Sequence, residues 1–404
     1  MNYKIKIQRP NSIKLWLWLS FLISIIFELL VEMEIISDTN LTKIIQYVII
    51  LSPIVFRIYE IFWNKLNKNS NYYFDDEMIW SLKIAGIILL LSLYKSMSAS
   101  KFAFSSIMEI IQILLPFLFA YVIINSFTES EIDLFMKIAL FITVVAYIYD
   151  KRTELLNFSN YLMISVINSF SPFENSMYAE IASGLAAYFI YNRKRMPWAC
   201  AVCVILNLLI FKRVFILMTI ALLILSFTQL PNVKISQKII WLNGIIWVFI
   251  ISGFYYMYLP ENYKRFEQFL HINFANFTMA RIYRLWYVLE HNFESYGLGS
   301  TSEYLSQLKL DYIGYEFEMD WIRILFELGI VAIVCLVFLY LKTTKGYLYS
   351  VVLINFCFLN LLMANGIVRY WGWSMRIITL TLIGYTYNEN KSSVVRKKQR
   401  KSGK

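Results

Sequence analysis

The chain has few charged residues and few of the side chains on which most enzyme chemistry depends. Of its 404 residues only 16% are charged, against about 25% in an ordinary soluble domain. It has two histidines, His271 and His291, and it contains no phosphate loop, metal-ligand cluster or nucleophile elbow. These absences argue against an active site that uses a nucleotide or a metal ion, so no cofactor is expected.

Cysteine is also scarce. The four cysteines, Cys200, Cys203, Cys335 and Cys357, all lie inside apolar runs, which argues against a disulfide framework and against a zinc ribbon. Cys200 and Cys203 have the spacing of a redox motif, but no soluble α/β unit surrounds them. We interpret all four as ordinary packing residues.

Apolar residues are abundant, at 59% of the chain. They form segments of the length that crosses a bilayer, about 17–25 residues, at 15–36, 41–62, 79–97, 103–124, 134–150, 177–191, 239–258, 321–341, 347–363 and 371–387. A further apolar stretch, 197–230, is interrupted by Lys212 and Arg213, which predicts two shorter spans that meet at this pair. The sequence therefore predicts an all-α, polytopic integral membrane protein with about twelve transmembrane helices.

This pattern divides the chain into four regions. Residues 1–258 hold the first nine predicted helices, including the interrupted pair, and residues 259–320 form a long outer loop of mixed charge and aromatic character. Residues 321–387 hold the last three helices, and residues 388–404 form a basic tail.

The net charge of +11 is interpreted as topology rather than as affinity for nucleic acid. Lysine and arginine cluster in alternate connections between apolar segments, as the positive-inside rule expects of cytoplasmic loops. Both termini are therefore expected in the cytoplasm, and the loop 259–320 on the outer side. The apolar run after Lys14 is longer than a signal-peptide core and is expected to be the first membrane helix.

Within the outer loop, Ala280–Glu294 is predicted to form an amphipathic helix on the membrane surface. At about 100° per residue its two faces consist of Ile282, Leu285, Trp286, Leu289 and Phe293, and of Arg281, Arg284 and His291. The cationic face could attract anionic lipid headgroups, or it could belong to an active site. Gly297 and Gly299, in Tyr296-Gly-Leu-Gly-Ser300, are expected to form a tight turn that closes this helix.

Two further groups of charged residues are candidates for function. Lys212 and Arg213 either mark a tight outer turn and extend to the surface, or bind the phosphates of a lipid substrate. Glu316, Glu318 and Asp320 either cap the following helix, or Asp320 or Glu318 accepts a proton from a substrate hydroxyl or orients a sugar. Glu327 is expected to pair with Arg323 one turn earlier.

The order of these features resembles that of the polytopic polysaccharide polymerases of the Wzy type, which are related to the O-antigen ligases. The resemblance covers the topology over most of the chain and, more specifically, these motifs: Lys212-Arg213, Thr278-Met-Ala-Arg281, Trp286, Tyr296-Gly-Leu-Gly-Ser300 and Asp320-Trp-Ile-Arg-Ile-Leu-Phe-Glu-Leu-Gly-Ile330. Where related proteins often have a His-Asn pair, this chain has Met319-Asp320, and its own His291-Asn292 comes earlier. The identity of a catalytic base is therefore left open.

The resemblance implies a metal-independent glycosyltransferase on the outer face of the bacterial cytoplasmic membrane. Donor and acceptor would be glycans on undecaprenyl diphosphate, and a chain-length regulator and a flippase are candidate partners. The implied catalytic residues are Arg213, Arg281, Arg284 and Asp320, and the implied substrate-binding residues are Lys212, Trp286, His291, Glu318, Gly297 and Gly299. A ligase that transfers finished glycan to an envelope acceptor, and a transporter of lipid-linked sugars, remain alternatives.

Overall fold

The computed structural model describes residues 11–37, 40–68, 72–102, 104–163, 171–278, 280–308 and 317–383. Regular structure in these ranges is helical, apart from one isolated antiparallel bridge between Lys234 and Tyr347. The all-α class predicted from the sequence is therefore confirmed. Glu316, the end of the last predicted span and the basic tail 388–404 lie outside the described residues.

The helices of the described residues follow in this order along the chain. The first ten are α1 (Asn11–Glu32), α2 (Asn40–Lys68), α3 (Asp75–Ser98), α4 (Phe104–Ile124), α5 (Glu129–Asp150), α6 (Arg152–Leu156), α7 (Phe158–Leu162), α8 (Ser176–Tyr191), α9 (Pro197–Ile210) and α10 (Arg213–Ser226). After a 3₁₀ turn at Leu230–Asn232 come α11 (Gln237–Tyr258), α12 (Tyr263–Leu270), α13 (Phe274–Phe277), α14 (Ile282–Glu290), α15 (Ser300–Leu308), α16 (Asp320–Leu328), α17 (Ile330–Thr343) and α18 (Leu348–Met363). Residues 370–383 form a last helix, α19.

Six of the described helices, α1 to α5 and α11, are long and apolar enough to cross a membrane, and α9, α10, α17 and α18 are shorter apolar helices. Large apolar side chains on these helices are exposed, among them Leu90, Phe141 and Phe249. A soluble protein would bury such surface, whereas lipid can cover it. The chain therefore has the helices and the apolar surface of a membrane protein.

The predicted interruption at Lys212 and Arg213 is confirmed. Phe211 ends α9 in the left-handed conformation (φ 59°, ψ 29°), and α10 begins at Arg213 after an extended Lys212. The two helices are in contact and are joined directly by this turn, so the stretch 197–230 holds two shorter helices rather than one long helix.

Two predicted helices differ from the structure. The predicted span 321–341 is broken at Gly329, whose φ of 82° and ψ of −176° separate α16 from α17; glycine adopts this conformation without a side-chain clash. The predicted helix Ala280–Glu294 is shortened at both ends to α14, because Ala280 and Asn292 have positive φ angles of 63° and 50°.

One compact unit comprises the described residues of Met1–Met78, Pro116–Gln229 and Trp371–Lys404. Its central helix is α8, which is buried from Met177 to Ile190 and packs against α5, α9 and α10. Gly184 and Gly372 bring the backbones of α8 and α19 into contact. A Cβ atom at Gly184 would lie 2.8 Å from the carbonyl oxygen of Gly372, and one at Gly372 would lie 2.8 Å from that of Glu180.

The other unit comprises Ile79–Leu115 and Leu230–Tyr370. Its central helix is α16, which packs against α11, α15, α17 and α18. The Nε1 atom of Trp321 donates a hydrogen bond of 3.2 Å to the carbonyl oxygen of Phe358 in α18. Asp320, Arg323 and Glu327 are all buried in α16, so charged side chains occupy the centre of this unit.

We expect Gly184→Ala and Gly372→Ala to lower the free energy of unfolding by about 1–3 kcal/mol each, because the added methyl group meets backbone atoms that have no room to move. Gly86→Ala and Gly253→Ala are matched controls: both glycines are helical, and a Cβ atom there would meet nothing within 4 Å. The controls should stabilise the protein by up to about 1 kcal/mol. Thermal unfolding in detergent checks this, and an unchanged midpoint for Gly372→Ala would contradict the close approach of α8 and α19.

Candidate functional site

Two arginines on α14 bind one carboxylate in the segment that leads into α16. Arg281, at the N-cap of α14, and Arg284, one turn later, both form ion pairs with the same oxygen of Glu318. The Arg284 contact measures 2.9 Å, and Arg281 also donates a hydrogen bond of 3.0 Å from Nη1 to the carbonyl oxygen of Met363. We call Arg281 and Arg284 the guanidinium pair, and Glu318 its carboxylate.

This cluster is partly shielded from solvent and carries one net positive charge. The side chains of Arg281, Arg284 and Glu318 are 16%, 18% and 28% exposed. Burial by itself raises the pKa of Glu318, but the charges of both arginines and their hydrogen bonds outweigh it and hold the pKa below its ordinary value. Glu318 therefore stays ionised at neutral pH and fixes the positions of both guanidinium groups.

His291 does not join the guanidinium pair. It lies at the C-cap of α14, where it is exposed and its ring stacks on Tyr287 with centroids 4.0 Å apart. Its Nδ1 lies 2.9 Å from the carbonyl oxygen of Tyr287. The predicted cationic face is thus divided, because Arg281 and Arg284 are largely buried against Glu318 whereas His291 is open to solvent.

Trp286 is held against the end of α11. Its Nε1 donates a hydrogen bond of 2.7 Å to the carbonyl oxygen of Tyr258, and its ring lies 4.3 Å from the ring of Tyr263. Tyr283, whose ring is 5.4 Å from that of Trp286, is 47% exposed. Of these aromatic residues, Tyr283 presents the most accessible face to a sugar.

Gly297 and Gly299 lead into α15. The sequence predicted that they form the turn that closes α14, and this prediction is wrong. Both have positive φ angles, 132° and 78°, and both pack closely against α4. A Cβ atom at Gly297 would lie 2.6 Å from Ser106 Oγ, and one at Gly299 would lie 2.6 Å from Glu109 Oε1. The turn therefore requires glycine for its conformation and for its packing, and neither glycine is exposed.

Asp320 begins α16 but caps a different segment. Its Oδ2 accepts hydrogen bonds from the backbone N–H groups of Gly366 and Ile367, at 2.6 and 2.8 Å, and its Oδ1 lies 3.3 Å from Arg323 Nη2. The residue is 1% exposed. This geometry gives Asp320 a positioning role, because both oxygens already accept hydrogen bonds and solvent does not reach them.

The sequence predicted that Glu327 pairs with Arg323, but the hydrogen-bond partners of Glu327 are backbone groups. Its two oxygens accept hydrogen bonds from the N–H groups of Gly299 and Thr301, at 2.8 and 2.9 Å, at the beginning of α15. Arg323 instead forms an ion pair with Glu109 of α4, with Nη1 2.6 Å from Oε1. The buried charges of α16 thus connect the glycine turn, α4 and residues 364–367.

In the first unit, Lys212 and Arg213 lie at the turn between α9 and α10. Lys212 is buried, with Nζ 3.7 Å from Glu180 Oε1, and Arg213 is half-buried. The other oxygen of Glu180 binds Arg376 of α19, at 2.6 Å from Nη2, and the same nitrogen donates to Ser183 Oγ. Lys212 is therefore held inside the helices, and of the two residues Arg213 is the more accessible to an anionic ligand.

Sequence reasoning overlooked Glu109, Glu180 and Arg376. Each lies inside a predicted span, and an ionisable side chain in such a position usually faces the protein interior and pairs with an opposite charge. This rule indicates that Glu109 and Glu180 need cations and that Arg376 needs an acid. It does not indicate which partner each one has.

No group of three or more histidine, cysteine or acidic side chains among the described residues has an arrangement that could hold a metal ion. The four cysteines are free thiols, and Cys200, Cys203 and Cys357 are buried.

The chain matches no family model, no curated protein and no solved structure.

We expect Glu318→Gln to lower the free energy of unfolding at pH 7 by about 1–3 kcal/mol, because two guanidinium groups lose their charged partner. Since the folded pKa of Glu318 is lowered, its stabilisation is complete above the pKa of an unfolded glutamate, about 4.3, and is lost as the pH falls through the folded pKa. The stability difference between wild type and variant should therefore shrink on acidification. Exposed Glu261, changed to Gln, is the control; a difference independent of pH from 7 to 3 would contradict the pairing.

Proposed function

We propose that this chain polymerises undecaprenyl-diphosphate-linked oligosaccharide repeat units into a surface polysaccharide such as O-antigen, capsule or exopolysaccharide. The acceptor's terminal sugar hydroxyl attacks the anomeric carbon of the donor glycan. A glycosidic bond forms, the bond from that carbon to the diphosphate oxygen breaks, and the lipid diphosphate leaves with the electron pair. The proton of the hydroxyl passes to a base.

The observation that carries this proposal is the guanidinium pair. Arg281 and Arg284 lie one turn apart, point at one carboxylate oxygen and are fixed by it. A carboxylate and a phosphate accept the same fork of N–H donors, so a pair of guanidinium groups that shares one carboxylate has the geometry to bind a phosphate group. With one net positive charge, the cluster attracts an anion even while Glu318 is in place.

Charge stabilisation of this kind suits the reaction. Negative charge grows on the diphosphate as the glycosidic bond breaks, and fixed cations in a partly shielded site lower the barrier without a metal ion. In this mechanism Arg281 and Arg284 are the catalytic residues, Glu318 positions them, and Asp320 positions the start of α16 against residues 366–367.

The acceptor requires a base and a surface for its sugar. Exposed His291 offers its second ring nitrogen to solvent, and Glu318 is the carboxylate closest to the arginines. Exposed Tyr283, beside Trp286, offers an aromatic face on which a sugar ring can pack. We assign acceptor binding to this surface of α14.

We place the protein in the bacterial cytoplasmic membrane as about twelve transmembrane helices, with both termini in the cytoplasm and residues 259–320 on the outer side. Support comes from the apolar helices and from the basic connections between them. In this topology the guanidinium pair faces the outer side, where lipid-linked repeat units are joined. Arg213, at the α9–α10 turn, is assigned a separate contact with lipid phosphate, with Lys212 beside it.

Purified protein reconstituted with synthetic lipid-diphosphate-linked repeat units, in chelator and without nucleotide, should produce a ladder of polymer lengths. Arg281→Ala and Arg284→Ala should each lower the rate by about 10²–10³-fold, as the loss of one preorganised donor does elsewhere. Lysine at either position should restore part of the rate, since it keeps the charge but not the planar fork.

Arg265→Ala is the matched control, because Arg265 is an exposed arginine on α12 in the same segment; its ladder should be unchanged. A wild-type ladder with normal yield from Arg281→Ala would contradict the catalytic assignment. No ladder from intact wild type with the correct repeat unit would contradict the polymerase. Transfer of preformed long glycan to an envelope acceptor would then identify a ligase.

A further inference from the structure

The buried charges of the second unit contain more acid than base. Glu109, Asp320 and Glu327 surround Arg323. The side chains of Glu109 and Asp320 are 14% and 2% exposed, and the whole residue Glu327 is 0% exposed. Electrostatic interaction links Arg323 to all three carboxylates. If all four groups were ionised, this acidic cluster would hold two uncompensated negative charges in the interior of a membrane protein.

The ion pairs are unevenly shared. Arg323 contacts Glu109 at 2.6 Å and Asp320 at 3.3 Å, whereas Glu327 makes no ion pair with any described residue. The contacts of Glu327 are the two N–H groups of the glycine turn, which carry only partial charges. Glu327 is thus the most buried carboxylate of the acidic cluster and the one whose interaction with Arg323 is not a close ion pair, next to a second carboxylate, Glu109, that repels its charge.

We propose that Glu327 is a proton-binding site, and that its side chain is a neutral carboxylic acid at neutral pH. Full burial and the neighbouring charge of Glu109 both favour the protonated form of Glu327, and together they outweigh Arg323 and the two backbone N–H groups, which favour the charged form. Proton uptake also lowers the charge repulsion within the acidic cluster. The ligand of this site is a proton, and the proposal does not depend on glycosyl transfer.

Thr301 provides the partner that the neutral acid requires. Its fully buried hydroxyl group lies within hydrogen-bonding reach of the Glu327 carboxyl group. A carboxylate can only accept hydrogen bonds, but a carboxylic acid also donates one. In the protonated state proposed here, the O–H group of Glu327 can donate to Thr301 Oγ1, while both oxygens still accept from the N–H groups of Gly299 and Thr301.

The other groups that face this site do not remove the need for a proton. From α4 comes Glu109, from α16 come Asp320 and Arg323, and from the glycine turn comes the buried phenol of Tyr296, which interacts electrostatically with Glu327. Burial, with Glu303 and Glu327 nearby, raises the pKa of Tyr296 to about 12, so this phenol is neutral. Arg323 is the cation that interacts electrostatically with Glu327, and Lys101 lies over the ring of Tyr296, with Nζ 4.2 Å from the ring centroid.

Proton binding links pH to the glycine turn. Above the pH at which Glu327 loses its proton, the donor to Thr301 disappears and a second unpaired negative charge appears beneath the first turn of α15. The unfolded chain holds no proton on a glutamate at neutral pH, so the folded protein binds more protons and its stability falls as the pH rises. This direction is opposite to that expected for Glu318.

Infrared difference spectroscopy of the full chain in lipid vesicles, without substrate, tests the site directly. Wild type at pH 7 should show the carbonyl stretch of a protonated carboxyl group, which shifts in D₂O and with ¹³C-labelled glutamate and disappears at alkaline pH. Glu327→Gln should lack the band. Glu303→Gln is the matched control, because Glu303 of α15 is near the same turn and accepts a hydrogen bond of 2.7 Å from Ser105; it should keep the band.

A wild-type spectrum at pH 7 without a protonated glutamate would overturn the proposal, and so would a band that persists in Glu327→Gln but is lost in Glu109→Gln. Should Glu327→Gln fold poorly, the ¹³C and D₂O shifts of wild type still decide whether a glutamate is protonated. In addition, the melting temperature of wild type should fall with rising pH on the alkaline side, and Glu327→Gln should show a smaller fall. Equal slopes for the two proteins would also contradict the site.

Discussion

The packing of the second unit depends on its buried carboxylates, which need hydrogen-bond donors or cations where water is scarce. In an apolar interior, a charged oxygen must find a cation or an N–H donor, because neither lipid nor aliphatic side chains offer one. Arg323 supplies the cation to Glu109 and Asp320. The ends of other segments supply the N–H donors, so the same contacts that satisfy α16 also fix the glycine turn and residues 364–367 against it.

Much of the helical framework could be predicted from the sequence, because long apolar runs have few alternatives in a membrane protein. The α9–α10 turn was also predictable, since two adjacent cations are costly in the middle of a span. The break at Gly329 was not predictable from the sequence. A single glycine in an apolar run is compatible with a continuous helix, and only the packing around α16 and α17 decides between the two.

The candidate residues were predictable as types, but their partners were not. Arg281 and Glu318 are 37 positions apart, and Arg323 and Glu109 are 214 apart. Helical periodicity places a charge on a face of its own helix, and it carries no information about which distant segment covers that face. For this reason Arg284 is identifiable as a candidate, whereas the sequence leaves Glu318 between helix capping and a role at the substrate, and it pairs Glu327 with Arg323, the nearest arginine.

The α9–α10 turn has a consequence for the lipid around it. Each helix has 14 residues, which corresponds to a rise of about 21 Å, whereas the hydrocarbon layer is about 30 Å thick. In the membrane topology proposed above, a pair this short has hydrophobic mismatch, which a bilayer relieves by becoming locally thinner. Arg213, at the start of α10, would then lie at the bottom of a depression in the membrane surface, where a lipid headgroup descends to meet it.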